Sequence, residues 1–201
     1  MNQKRILVAA IIVTFSLQIL ASFTNVGLAQ ESICYSEAQS LVSKDNYLIT
    51  SHGSKAGPSP GDDYYKSGID IYDVSDVENP KKIGEYYDHY GKVKGVHVEG
   101  DYAYVVEKGN GMKVLDLSDP SSPSKISHYN EKVDQYNGGA YFGFDISGDY
   151  AYLAKSNQLE IVDISDPTSP KLVGEYDDFC PVSFSEVTSS ITIKGDTAFI
   201  S

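Results

Sequence analysis

The side chains able to do chemistry in this chain are few, and their spacing is poor in motifs. Four histidines occur, His52, His89, His97 and His128. None belongs to a His-Glu-x-x-His zinc pair, and no phosphate-binding glycine loop is present. Histidines beside carboxylates can hold a transition metal, but isolated polar histidines are the plainer reading here. The carboxylates recur in one form: Asp73-Val74-Ser75-Asp76, Asp116-Leu117-Ser118-Asp119 and Asp163-Ile164-Ser165-Asp166. Calcium loops add a third acidic group and a glycine at fixed spacing, which these strings lack. They read as turn formers whose side chains accept backbone amides. No catalytic residue, metal or cofactor is expected.

Composition sets the surroundings of these groups. Lys4 and Arg5 begin a basic start, followed by an apolar stretch from Ile6 to Phe23 and small residues at Gly27-Leu28-Ala29. This is the pattern of a signal peptide over residues 1–29, cleaved after Ala29. The alternative is an uncleaved anchor, since about 20 apolar residues span a bilayer. Cleavage leaves 14 lysines against 28 acidic residues, a net charge of −14 with no membrane span. Such a surface repels nucleic acid, and without arginine it lacks bidentate forks for phosphate. An exported chain meets oxidising conditions, so Cys34 and Cys180 either form one disulfide or remain free thiols.

The elements that position these groups follow from a repeat. Asp101-Tyr102-Ala103-Tyr104 returns as Asp149-Tyr150-Ala151-Tyr152 and as Asp196-Thr197-Ala198-Phe199, at steps of 48 and 47 residues. The unit around Asp101 predicts strands at Val93–Val98, Tyr102–Val106, Met112–Leu117 and Ser124–Tyr129, joined by short connections. Short connections force an antiparallel meander. Tyr102, Tyr104 and Val106 make one face of the second strand apolar, and Ala103 and Val105 the other. A sheet apolar on both faces must lie between neighbours, and four-stranded sheets stacked at this period are propeller blades. The fold class is therefore all-β, an arc of about three complete blades and the start of a fourth. After a lead-in at 30–38, the repeats run over 39–201, with blades near 39–86, 93–129 and 140–176 and an incomplete one at 187–201.

Gly100–Tyr104 and Gly148–Tyr152, Leu159-Glu160-Ile161-Val162-Asp163, and Ser-Asp-Pro followed by a second proline resemble the LVIVD repeat family of exported bacterial and archaeal proteins. The resemblance covers about residues 39–201. It implies a propeller-like fold and export, with no catalytic residues to carry over. The first unit departs from it, with Val77 in place of proline and an insertion at Ser51–Ser67 between its middle strands.

Propellers have about 4–8 blades. Three and a fraction read as the N-terminal part of a longer protein, or as one of several copies completing a ring, so further blades are expected in cis or in trans. In a meander the 1–2 and 3–4 turns share one face. The 2–3 turns and the crossings between blades share the other, where the irregular segments gather. Irregular loops on a rigid scaffold are where binding usually resides. The candidate ligand-binding residues are Tyr64 and Tyr65 in the insertion, His89 and Tyr90 in the first crossing, Tyr136 in the second and Phe179 in the third. Tyrosine gives contact area at low entropic cost, and acidic neighbours favour a cationic or hydroxyl-rich partner. The expectation is a secreted or cell-surface binding module for protein or glycan. The alternative is a hydrolase or lyase centred on the propeller channel, where His97 on an innermost strand could face the axis.

Overall fold

The computed structural model describes residues 38–55, 66–89, 92–130, 141–155, 158–177 and 191–200, and all regular structure there is β-strand. The first blade holds β1 (Ala38–Lys44), β2 (Tyr47–Lys55), β3 (Lys66–Asp73) and β4 (Lys81–His89). The second holds β5 (Lys92–Glu99), β6 (Tyr102–Lys108), β7 (Gly111–Asp116) and β8 (Ser124–Tyr129). The third holds β9 (Gly143–Ser147), β10 (Tyr150–Ala154), β11 (Leu159–Asp163) and β12 (Lys171–Tyr176). Each is a four-stranded antiparallel meander in chain order. A fourth unit is described as the hairpin β13 (Ile191–Lys194) and β14 (Thr197–Ile200). The first strands β1, β5, β9 and β13 lie side by side, so they form the inner edge of the arc.

Turn chemistry explains the repeated strings. Gly100, Gly148 and Gly195 open the 1–2 turns with φ between 55° and 58°, a left-handed conformation that glycine adopts without strain. Asp45 takes the same position in the first blade with φ 51°, one of the few non-glycine types that tolerates it. After Gly100 and Gly148 the next strand begins Tyr-Ala, its alternate residues facing opposite neighbours. Each 1–2 turn is also tied to the end of the third strand on the same face. Leu117 donates its amide to Asp101 at 2.7 Å, Ile164 to Asp149 at 2.8 Å, and Val74 to Asn46 at 2.8 Å. In the 3–4 turns, Asp73, Asp116 and Asp163 accept the amides of Ser75, Ser118 and Ser165 at 2.8–2.9 Å. Asp119 and Asp166 do the same for Ser121 and Thr168. For Asp119, Asp163 and Asp166 the hydroxyls of Ser121, Ser165 and Thr168 lead, and for Asp73 and Asp116 the amides lead, in holding the carboxyls below the usual aspartate range.

The cores lie between blades. Ile49, Ile69 and Ile71 of the first blade pack against Ala103, Val105, Leu115 and Leu117 of the second. Tyr104, Val106, Met112 and Val114 leave the other side of the second blade and pack against Ala151, Leu153, Val162 and Ile164 of the third. Burial on both faces is why the strands read as near-continuous apolar runs. Blade edges also interlock. A Cβ on Gly84 would stand 2.0 Å from the carbonyl oxygen of Pro120, so the fourth strand of one blade touches the proline turn of the next. The equivalent Ser127 donates its hydroxyl to the Pro167 carbonyl at 2.6 Å. The forward face of the third blade is more open. Tyr150 is 42% exposed and Tyr152 half-buried, whereas the equivalent of Tyr152 on the second blade, Tyr104, is 3% exposed.

Two expectations about the first blade need correction. Tyr87, Asp88 and His89 belong to β4 and not to the crossing, because they continue its pairing with β3 as far as Lys66↔His89. The insertion is also narrower than Ser51–Ser67. β2 runs on to Lys55 and β3 starts at Lys66, and the hydroxyl residues Ser51 and Ser67 are fully buried in them.

Candidate functional site

The inner strands enclose a groove of about 370 Å³. Ser40 comes from β1, the run Lys94 to His97 from β5, Phe142 to Asp145 from the entry and start of β9, and Ile191 from β13. The groove runs from the arriving ends of β1, β9 and β13, on the crossing-loop side, to past the middle of β5 at Val96 and His97.

Two devices open it. β5 carries a bulge between Val93 and Gly95, with Lys94 the extra residue, and β1 carries one between Ala38 and Leu41. Counted back from the 1–2 turn, the two bulges fall at equivalent places. Bulges re-aim side chains and are frequent beside functional sites. The second device is a small residue at one repeat position, Ser40 on β1, Gly95 on β5 and Gly143 on β9. Phe144 lies over the space this leaves, its Cε1 only 2.5 Å from where a Cβ on Gly95 would stand.

Polar groups stitch the inner edges together. Ser40 Oγ meets the amide and carbonyl of Val96 at 3.3 and 3.5 Å. Asp145 accepts the Ile146 amide at 2.9 Å on Oδ1 and the Ile193 amide at 2.7 Å on Oδ2. Both of its oxygens are thus engaged by backbone donors. His97, at the equivalent position on β5, is one-third exposed and 3.8 Å from Glu99. Lys108 places its ammonium 5.9 Å from the Phe142 ring centre.

A second set of ionisable groups lies buried at the blade interfaces. Asp70, Lys113 and Glu160 occupy one repeat position, the second apolar-flanked residue of the third-strand run, at 0%, 1% and 3% exposure. Lys113 pairs with Glu107 at 2.8 Å and with Asp88 of the first blade at 3.3 Å. Glu107 accepts Ser67 Oγ of the first blade at 2.8 Å and Asn110 Nδ2 at 2.7 Å. Glu160 is bonded by Lys155 and accepts the hydroxyls of Tyr141 at 2.8 Å and of Tyr129, from the second blade, at 3.1 Å. Burial, then the Glu160 charge, raises the Tyr129 phenol well above its ordinary value; burial chiefly raises that of Tyr141. Asp70 is met by His52 at 2.9 Å, Lys82 at 2.8 Å and Tyr87 at 2.6 Å. Burial opposes its charge, yet these donors prevail and hold its carboxyl far below the usual range. Asp70 and Glu160 have hydrogen-bonding partners in place, while Lys113 Nζ is held by ion contacts with Glu107 and Asp88 that lack hydrogen-bond geometry, so these are interface groups. Sequence reading overlooked them. Their signal was an ionisable residue recurring at one repeat position between apolar neighbours.

Of the candidate binding residues, Tyr64, Tyr65, Tyr90, Tyr136 and Phe179 lie outside the described residues, as do Cys34 and Cys180. His89 is placed by its backbone at the end of β4. His97 does line the groove, while His52 is buried against Asp70 and His128 Nε2 faces the Asn110 carbonyl. One nucleophile-like string, Gly57-Pro58-Ser59-Pro60-Gly61, also lies outside them. Among the described residues no cluster of three metal-ligating side chains occurs.

Comparison with known proteins agrees with this architecture. The model of the LVIVD repeat matches residues 90–131 and 142–178. No curated protein is similar in sequence. Among solved structures, the computationally designed protein Ika4 superposes with a TM-score of 0.56 at 14% identity, covering 82% of this chain and 84% of its own. The periplasmic gluconolactonase PpgL of Pseudomonas aeruginosa gives 0.55 at 14% identity, over 78% of this chain and 46% of its own. A functionally unknown protein from Desulfotomaculum acetoxidans gives 0.55 at 13%, over 82% of this chain and 49% of its own. This chain spans about half the length of those two natural structures, and identities so low speak for the fold alone. The chain thus carries LVIVD repeats over residues 90–131 and 142–178, and its four-stranded blades stack around an inner edge as an arc of a β-propeller.

Proposed function

We propose that this protein is an exported recognition module, binding protein or glycan outside the cell through its crossing-loop face and the groove beside it. The observation that carries this is the chemistry of the groove. It is a concave site of ligand size, with aromatic walls, yet its one lining carboxylate, Asp145, has both oxygens held by backbone amides. A general acid or base needs an oxygen within reach of substrate. Converging carboxylates around His97 would favour the enzymatic alternative, and only Asp145 is present among the described lining residues. Export is supported by the basic, apolar and small-residue order of positions 4–29. The open forward face of the third blade fits a further blade, in cis or in trans. The test is a panel of glycan arrays and cell-surface extracts probed with the purified protein, followed by His97→Ala. Saturable binding lost on masking this face is expected. A protein that binds neither panel, or that turns over a substrate and loses that activity in His97→Ala with its fold intact, overturns the reading.

A further inference from the structure

Three segments of the crossing-loop face meet at one buried carboxylate, Glu160 of β11, which is 3% exposed. Lys155, from the turn between β10 and β11, bonds its Oε1. Its Oε2 accepts the hydroxyl of Tyr129, at the end of β8, at 3.1 Å. The same oxygen accepts the hydroxyl of Tyr141, just ahead of β9, at 2.8 Å. Tyr141 is fully buried, and its oxygen also accepts Asn130 Nδ2 at 2.6 Å. Asn130 and Tyr141 are the described residues at the two ends of the second crossing, so one chain of bonds ties those ends together. The next residue, Phe142, stands in the wall of the groove, and its amide donates to the Ala154 carbonyl at 2.9 Å.

Packing alone does not call for a phenol at this place. Counted back from the 1–2 turn, Tyr141 answers to Val93 of the second blade and Ala38 of the first. Val93 is fully buried there without a hydroxyl. The third-strand partner changes along with it, from Lys113 to Glu160. A buried hydroxyl is costly unless it is bonded, and this one is bonded twice, as donor to Glu160 and as acceptor from Asn130. We infer that Tyr141 is a positioning residue of the groove: its bond to Glu160 fixes the adjoining Phe142 in the wall. Through Asn130 it also holds the end of β8 against the start of the third blade. The inference goes beyond the recognition reading, since it holds whatever the groove takes up.

The chain has no tryptophan, so Phe142→Trp places a single indole in the wall. Its emission, and the quenching of that emission by acrylamide, are compared in three backgrounds: otherwise native, Tyr141→Phe and Tyr129→Phe. Both substitutions take one hydroxyl from the same Glu160 oxygen, so both lower the melting temperature, but only the first releases the wall. In Tyr141→Phe the emission should move to longer wavelength and be quenched more steeply. In Tyr129→Phe both should stay at the values of the native background. A second measurement leaves Phe142 in place. By NMR, the Phe142 amide should exchange its hydrogen faster in Tyr141→Phe than in Tyr129→Phe, and this decides alone if the indole variant does not fold. Emission and exchange unchanged in Tyr141→Phe overturn the inference. Equal changes in the two variants overturn it as well, because they report lost stability and not lost positioning.

Discussion

Lys113→Met isolates the buried charge between the first and second blades. Methionine keeps the unbranched apolar stem and removes only the ammonium. Lys113 and Glu107 are each 1% exposed, and their ionic contact is 2.8 Å long. With the ammonium gone, Glu107 keeps two neutral donors, Ser67 and Asn110, and Asp88 loses its 3.3 Å partner. Breaking a buried pair by removing one member costs about 3–5 kcal/mol, because the remaining charge stays desolvated. For a domain of this size that lowers the melting temperature by roughly 6–20 °C. Adding Glu107→Gln removes the stranded charge, so the double variant should regain most of the loss. Thermal and urea unfolding at neutral pH, followed by circular dichroism on the four proteins of the cycle, gives the coupling directly. A single variant as stable as the parent, or a double variant that loses the sum of both singles, would refute the claim that this pair is desolvated and mutually dependent.

Three further outcomes follow from the same interfaces. Gly84→Ala puts a Cβ 2.0 Å from a backbone oxygen of the next blade, and unfolding should show a loss of about 1–3 kcal/mol, the usual cost of overpacking. Tyr129→Phe withdraws a hydroxyl from buried Glu160, and stability measured the same way should fall by about 1.5–3 kcal/mol, the range for bonds to charged groups. Asp70 has a depressed carboxyl in the folded state, so its stabilisation is complete above the unfolded aspartate value of about 3.9. It is lost as pH falls from there toward the folded value. An acid titration of the melting temperature should therefore drop below about pH 4, and Asp70→Asn should be less stable at neutral pH with a shallower acid limb.

The blades were legible because their signals are local. Gly100 and Gly148 mark left-handed turn positions, the aspartates cap their own turns, and Ser124–Tyr129 coincides with β8. The interface charges were not legible, because what buries them is distant in sequence. Ser67 and its acceptor Glu107 are 40 residues apart, and Tyr129 and Glu160 are 31 apart. A charged residue inside a β-rich run reads as solvent-facing alternation until a neighbouring blade is laid over it. Tyr87 to His89 were misread for the same kind of reason. Their strand character comes from pairing with the far end of β3, beyond the insertion. The groove was half legible. His97 was traceable to an innermost strand, but the bulge that aims Lys94 is a mismatch between two strands and has no signature in one.

Comparing the units within this chain separates scaffold from site. Positions that face the next or previous blade keep one chemical kind: Ala103, Ala151 and Ala198; Tyr104, Tyr152 and Phe199; Ile71, Val114 and Ile161. Packing between blades repeats, so the residues that satisfy it repeat. The third-strand charges keep to ionisable types even as their sign changes, since each must match its own neighbours. Positions on the inner strands that line the groove follow no such constraint. Lys94 answers to Phe142, and His97 answers to Asp145 and Thr192. If these residues only packed the arc, the repeated geometry would call for the same kinds at each. They differ in charge, shape and polarity around one 370 Å³ space, a variation that packing between blades does not call for.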